Sequence, residues 1–180
     1  ARKVPEKLRG WKDPVKIGDH PEAKPVLDID AGELIAAIHK LETGVDMNGH
    51  PLDGAPRMCI GAALNPCVAD VETEIAKTRH KIERGAQFFQ TQGVFDAERF
   101  LSFVGRYHRE GFKAPILAGI ILLKSVKMAN FMNEKIPGIL IPQNLIERLG
   151  RSSEAKKECV AIASEIIEKV RPHVQGVHLM

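Results

Sequence analysis

The apolar residues of this chain recur in two alternating periods. Residues 57–64, "RMCIGAAL", form a short apolar run and predict a buried strand. Residues 68–84 then carry Val68, Val71, Ile75 and Ile82 at helical spacing, with Gly85 just beyond the end. A second apolar run covers 86–92. A helix over 96–109 follows, with Asp96 as its N-cap and Phe100, Phe103, Val104 and Tyr107 on one face. "PILAGIILL" (115–123) is almost continuously apolar, as a strand covered on both faces should be. Ser125 opens a shorter helix, 134–142 is an irregular connection, and Pro142 starts a brief helix through Leu149. The last helix, about 152–171, places Ala155, Cys159, Ile162, Ile166 and Val170 on one stripe before a closing strand at 176–180. Upstream, Leu34, Ile35, Ile38 and Leu41 mark a helix over 31–42, and 43–56 is rich in turn residues.

Strand and helix alternate with a repeat of roughly 30 residues, the signature of parallel βα units. An open doubly wound sheet and a closed (β/α)8 barrel both fit that order. No GxGxxG or GxxxxGK[ST] follows any strand, which removes the usual marks of a nucleotide-binding open sheet. Polar residues gather instead at strand C-termini: Asn65, Gln92, and Lys124 with Ser125. Barrel enzymes build their sites on that rim.

Composition narrows the classes further. The 180 residues are 44% apolar and 27% charged with a net charge of +3, which fits one soluble domain with a core of its own. No basic stripe with interleaved aromatics is present, so nucleic acid is not an expected partner. "RYHRE" (106–110) is the densest basic spot and reads as the solvated end of a helix. No apolar run is long enough to span a bilayer, and no membrane association is expected. Cys59, Cys67 and Cys159 include no CxxC pair and suit reduced thiols of a cytoplasmic protein, with Cys59 in a strand and Cys159 on a helix's apolar face, both in the core. Asp19, His20, Asp28 and Asp30 have the composition of metal ligands. Pro21 and Pro25 hold that segment extended, however, and two of the aspartates immediately precede a helix, so no metal site is expected.

Gln92 carries a donor and an acceptor and does not titrate near neutrality. It suits recognition of a heterocycle with alternating donors and acceptors, and equally the satisfaction of a backbone group at the rim. Asn65 before Pro66 is explained by an Asn-Pro turn alone. Lys81, near a helix end, reads as a solvated cation.

Taken together, "GDHPEAKPVLDID", "MNGHPLDG", "IGAALNP", "KIERGAQFFQTQGVFD", "ILAGIILLKS", "IPGILIPQNLIERL" and "GVHLM" resemble the methylenetetrahydrofolate reductase family over about residues 15–180. The resemblance implies a (β/α)8 barrel of which this chain supplies roughly the C-terminal half to five-eighths. It also implies FAD bound at the C-terminal rim, and hydride transfer from NADH or NADPH through the flavin to methylenetetrahydrofolate. By the same resemblance Gln92 matches the glutamine that hydrogen-bonds the folate's pterin. Asn65 falls where the family approaches the flavin, with Gly61 in the same segment. Lys81 matches a lysine reaching the flavin's phosphate or ribityl region, and Glu74 an acidic flavin contact.

Two departures accompany the match. The family's turn that ends in an Asp beside the flavin is matched by "LRGW", Leu8 to Trp11, so Arg9 and Gly10 are the candidate contacts and Trp11 replaces the Asp. The family's catalytic glutamate lies on a first strand without a counterpart here. The chain therefore reads as the C-terminal part of a reductase that needs its N-terminal strands. The alternative is a half-barrel subunit that completes itself against another chain; exposed strand edges favour oligomers in either case.

Overall fold

The computed structural model describes residues 29–136 and 138–180. Arg9, Gly10, Trp11, Asp19, His20 and Asp28 lie outside them. The element order is α1 (Ala31–Leu41), β1 (Gly61–Leu64), α2 (Val71–Glu83), β2 (Phe88–Gly93), α3 (Ala97–Arg109), β3 (Ile116–Ile120), α4 (Val126–Lys135), α5 (Gln143–Arg151), α6 (Ala155–Val170), a 3-10 turn (Arg171–His173) and β4 (Gly176–Leu179).

Local sequence sets the helix starts. Asp30 and Glu33 form a reciprocal capping box on α1, which gives Asp30 its role. Asp70, Asp96 and Ser125 each accept from the third backbone N–H of the helix that follows. The four strands pair in parallel in the order β1-β2-β3-β4. A doubly wound sheet reverses its strand order at a switch point. This one does not, and its described helices cover one face. It is the wall of a (β/α)8 barrel.

The alternation within each strand identifies the two faces. In and before β1, Met58, Ile60, Ala62 and Leu64 turn inward, while Arg57, Cys59, Gly61 and Ala63 are exposed to a greater degree. Cys59 is therefore not a core residue and precedes the strand, contrary to its sequence reading; its odd position puts it on the open face. Cys67 and Cys159 are buried. In β2, Phe89 and Thr91 are buried while Gln90 and Gln92 are exposed. Leu64, Phe89, Ile116, Ala118 and Ile120 pack against Ile75, Phe100, Phe103, Tyr107, Ile162 and Ile166 in the main core.

Two glutamines anchor the strand bottoms in the same way. Gln87 donates its N–H to the Ile60 carbonyl, and its Oε1 accepts from Ile60 N–H at 3.2 Å. Gln175 repeats this with Ile116, at 3.1 and 2.8 Å. The side chain supplies the acceptor that the slanted parallel ladder lacks at its first rung. Gln175→Ala should cost about 1 kcal/mol in urea unfolding, the net worth of such a bond; an unchanged midpoint would show that water replaces it freely.

"RYHRE" is more than a solvated helix end. Arg79 and Arg106 both pair with Glu110, and Arg106 also grips Glu72 at 3.1 and 3.2 Å, tying α2 to α3. Tyr107 is buried and donates its hydroxyl to the Ala114 carbonyl at 2.8 Å. Burial pushes its phenol up to about 12. In the unfolded chain a tyrosine ionises near pH ~10. Its contribution is therefore complete below pH ~10 and is lost as pH rises toward about 12, because the unfolded state ionises first. Stability measured on this alkaline limb should fall less steeply in Tyr107→Phe than in wild type, and equal slopes would refute the assignment.

Candidate functional site at the strand C-termini

All four strands point the same way, so their C-terminal ends share one rim. Between β3 and α6 the chain makes an excursion, α4 and α5, with a small core of its own: Leu123, Ala129, Met132, Ile141, Ile146 and Leu149. Asn133 pins the connection by bonding both sides of Ile141, at 3.0 and 2.7 Å.

That connection reaches back to the end of β1. Asn65 Nδ2 donates to the Gly138 carbonyl at 3.1 Å, and Asn65 Oδ1 accepts from Cys67 N–H at 3.3 Å in an Asx turn. The N–H of Asn65 donates to Glu74 Oε1 at 2.9 Å. Glu74 is buried, so a backbone donor holds its carboxylate beneath the rim. Burial pushes the Cys67 thiol beside this turn up to about 11, with Asp96 adding to the effect, and keeps it protonated and unreactive at neutral pH.

Lys81 is half-buried and not simply solvated. Helical side chains lean toward the helix N-terminus, which carries Lys81 up toward the rim, and Nζ donates to the Ala63 carbonyl at 2.7 Å. Ile60's carbonyl faces β2, so alternation turns Ala63's carbonyl to the other edge of β1, which is unpaired among the described residues. A lysine on an exposed strand edge also opposes unwanted pairing. Burial lowers the Lys81 pKa, against the opposing pull of Glu74. Gly61 acts by leaving space. A Cβ there would fall 2.3 Å from the Phe88 ring, so the glycine lets that ring lie across β1.

Gln92 stands apart from this group. It is the next-to-last residue of β2, exposed on the open face, and its side-chain amide has no hydrogen-bond partner among the described residues. Asn65, Glu74 and Lys81 thus gather around β1, and Gln92 projects from the neighbouring strand. The roles of Thr91, Gly119 and Gly138 are not legible in the local sequence. The glycine inside "ILAGI" was the available signal, because glycine within a strand often marks a close backbone approach.

A cleft of about 290 Å³ lies elsewhere, in the helical layer, lined by Phe95, Asp96, Pro142, Leu145, Ile162 and Glu165. None of the described candidate site residues borders it. No group of metal-ligating side chains occurs among the described residues, and no described helix is long and apolar enough to cross a membrane.

A parallel sheet in sequential order, its helices covering one face, defines a β/α-barrel protein. The model of the family "Methylenetetrahydrofolate reductase" matches residues 7–180, and the chain belongs to that family. Among curated relatives, "Methylenetetrahydrofolate reductase (NADH) 1" of Arabidopsis thaliana is 30% identical over 114 residues, 60% of this chain and 19% of that protein. "Methylenetetrahydrofolate reductase 1" of Schizosaccharomyces pombe is 29% identical over 96 residues, 51% of this chain and 16% of that one. The chain thus matches less than a fifth of the length of these relatives. A solved structure of a Clostridium thermocellum protein, described as binding two copies of 5-methyl-5,6,7,8-tetrahydrofolic acid, aligns with TM-score 0.48 and 24% identity over 71% of this chain and 47% of that one.

Proposed function

We propose that this chain carries the C-terminal part of the site of a flavin-dependent reductase that converts 5,10-methylenetetrahydrofolate to 5-methyltetrahydrofolate with NADH or NADPH. The observation that carries the reading is the amide of Gln92 near the end of β2, which has no hydrogen-bond partner among the described residues and lies on the open face of a sheet from this family. A pterin edge offers adjacent N–H and carbonyl groups. The amide oxygen accepts from one while its N–H donates to the other, which fixes the ring's orientation without adding charge.

The donor chemistry near β1 suits FAD. Lys81 spends one of its three N–H groups on Ala63, and Asn65 spends one of two on Gly138. The remaining donors fit a phosphate or ribityl hydroxyl. Glu74 serves from below by fixing the Asn65 backbone, and Gly61 by admitting the Phe88 ring. Arg9 and Gly10 are proposed as further contacts. Bound there, FAD supplies the two-electron link between nicotinamide and folate. The chain's own share is to hold the cofactor's polar groups and to orient the pterin.

The open face of the sheet and the outer edges of β1 and β4 are where the remaining barrel strands belong, in the same polypeptide or in a second chain. The unpaired cysteines fit a cytoplasmic setting. The test is the visible spectrum of this chain joined by its remaining barrel strands, in one polypeptide or as a second chain, with 5-methyltetrahydrofolate titration and NAD(P)H-dependent turnover. A flavin spectrum with saturable folate binding is expected; a protein that binds folate in neither the presence nor the absence of added FAD would overturn the reading.

A further inference from the structure

We propose that Thr91 is a positioning residue for the Gln92 amide, acting through a bulge in β2; this rests on the reading of Gln92 as the pterin contact. Along β2 and β3 the paired positions are Gln90 with Leu117, then Gly93 with Gly119. β2 therefore takes three steps where β3 takes two. The extra residue is absorbed at Thr91–Gln92, and the ladder resumes with Val94 N–H donating to the Gly119 carbonyl at 2.9 Å.

A bulge leaves a rung of the ladder without its usual partner. Here the buried Thr91 hydroxyl supplies it: Oγ1 accepts from Gly119 N–H at 2.9 Å and donates to Gln92's own carbonyl at 2.8 Å. One hydroxyl uses its donor and an acceptor site to hold the neighbouring strand and the main chain of Gln92 together. Gly119 completes the device. A Cβ there would lie 2.5 Å from the Thr91 carbonyl and 3.0 Å from the Gln92 carbonyl, so only glycine lets the bulged strand approach this closely. The peptide after Gln92 is thus fixed by a side chain whose hydrogen bonds both go to backbone groups, and the direction of the Gln92 amide follows from it. A displacement near ~1 Å at such a group is enough to lose most of an oriented contact.

The test is the affinity for 5-methyltetrahydrofolate by calorimetry of the same completed barrel, in Gln92→Ala, Thr91→Val, Thr91→Ser and the Gln92→Ala/Thr91→Val double variant. Gln92→Ala should weaken binding at least about tenfold, Thr91→Val about tenfold, and Thr91→Ser by less than about twofold because it keeps the hydroxyl. The double variant should bind no more weakly than Gln92→Ala alone, since Thr91 acts only through that amide. Wild-type affinity in Thr91→Val, or additive losses in the double variant, would overturn the inference while leaving the pterin reading intact. An unaffected Gln92→Ala would overturn the pterin reading itself, and this inference with it. Should Thr91→Val fail to fold, Thr91→Ser still decides: a loss of about tenfold in that variant shows that the hydroxyl is not what positions Gln92.

Discussion

Gln92→Glu is expected to slow folate reduction by about ten- to a hundred-fold while leaving reduction of the flavin by the nicotinamide within about twofold. The substitution keeps the length and shape of the side chain and replaces an N–H donor with a second acceptor oxygen. A pterin carbonyl that met a donor then meets a carboxylate lone pair. The lost bond is worth about 1–3 kcal/mol when the partner is left unsatisfied, which converts to that range of rates. Gln92 is exposed and partnerless among the described residues, so the exchange removes no internal contact and folding should be little affected. The measurement is rapid-mixing kinetics of the two half-reactions, with saturating and limiting folate to separate kcat from KM. Equal slowing of both half-reactions would mean that Gln92 touches the flavin and not the folate. No slowing of either would remove it from the site.

The part of this fold legible in the sequence was the part built from local repetition. Helix α3 begins where Asp96 said it would, and its buried residues include the predicted Phe100, Phe103, Val104 and Tyr107. The strands fell within a few residues of their apolar runs, and their parallel order followed from the βα repeat. Helix α6 buries Cys159, Ile162, Ile166 and Val170 as its stripe required. What local reading missed depends on partners far away in the chain. Asn65 looked like the first half of an Asn-Pro turn, and it is an Asx turn, but its second bond goes to a residue 73 positions on. Lys81 looked solvated because a helix end is normally wet; the free carbonyl it reaches belongs to a strand edge 18 positions earlier. Cys59 looked buried because its neighbours are apolar, and only the face assignment of the completed sheet separates it from Ile60. The bulge at Thr91–Gln92 leaves no trace in composition, because it is a difference in step between two strands. Gln92 stands out as a polar residue near a strand end, and the family resemblance gives it a candidate role; the strand geometry shows what surrounds it.

Gly138→Ala should destabilise the protein by about 2–3 kcal/mol, and about half of that cost should pass through Asn65. Gly138 has φ +81°, in the left-handed region that an L side chain adopts at a cost of about 1–2 kcal/mol. A Cβ there would also lie 2.0 Å from Asn65 Nδ2. The two cannot coexist as they stand. The Asn65 amide must swing away, and its bond to the Gly138 carbonyl, worth about 1 kcal/mol, goes with it. With that tie broken, the connection between α4 and α5 loses its link to the end of β1, and the donor proposed for the flavin moves with Asn65. Urea unfolding of Gly138→Ala, Asn65→Ala and the double variant separates the contributions. Asn65→Ala alone should cost about 1–2 kcal/mol, because it also removes the acceptor of the Cys67 N–H. In its background, Gly138→Ala should cost only the backbone strain, because the clash and the bond are already gone, so the two changes should be less than additive by about 1 kcal/mol. The same variants should hold FAD more weakly in proportion to the displacement of Asn65. If Gly138→Ala costs the same with and without the asparagine side chain, the glycine is required by its own backbone angle and the bridge across the rim contributes nothing.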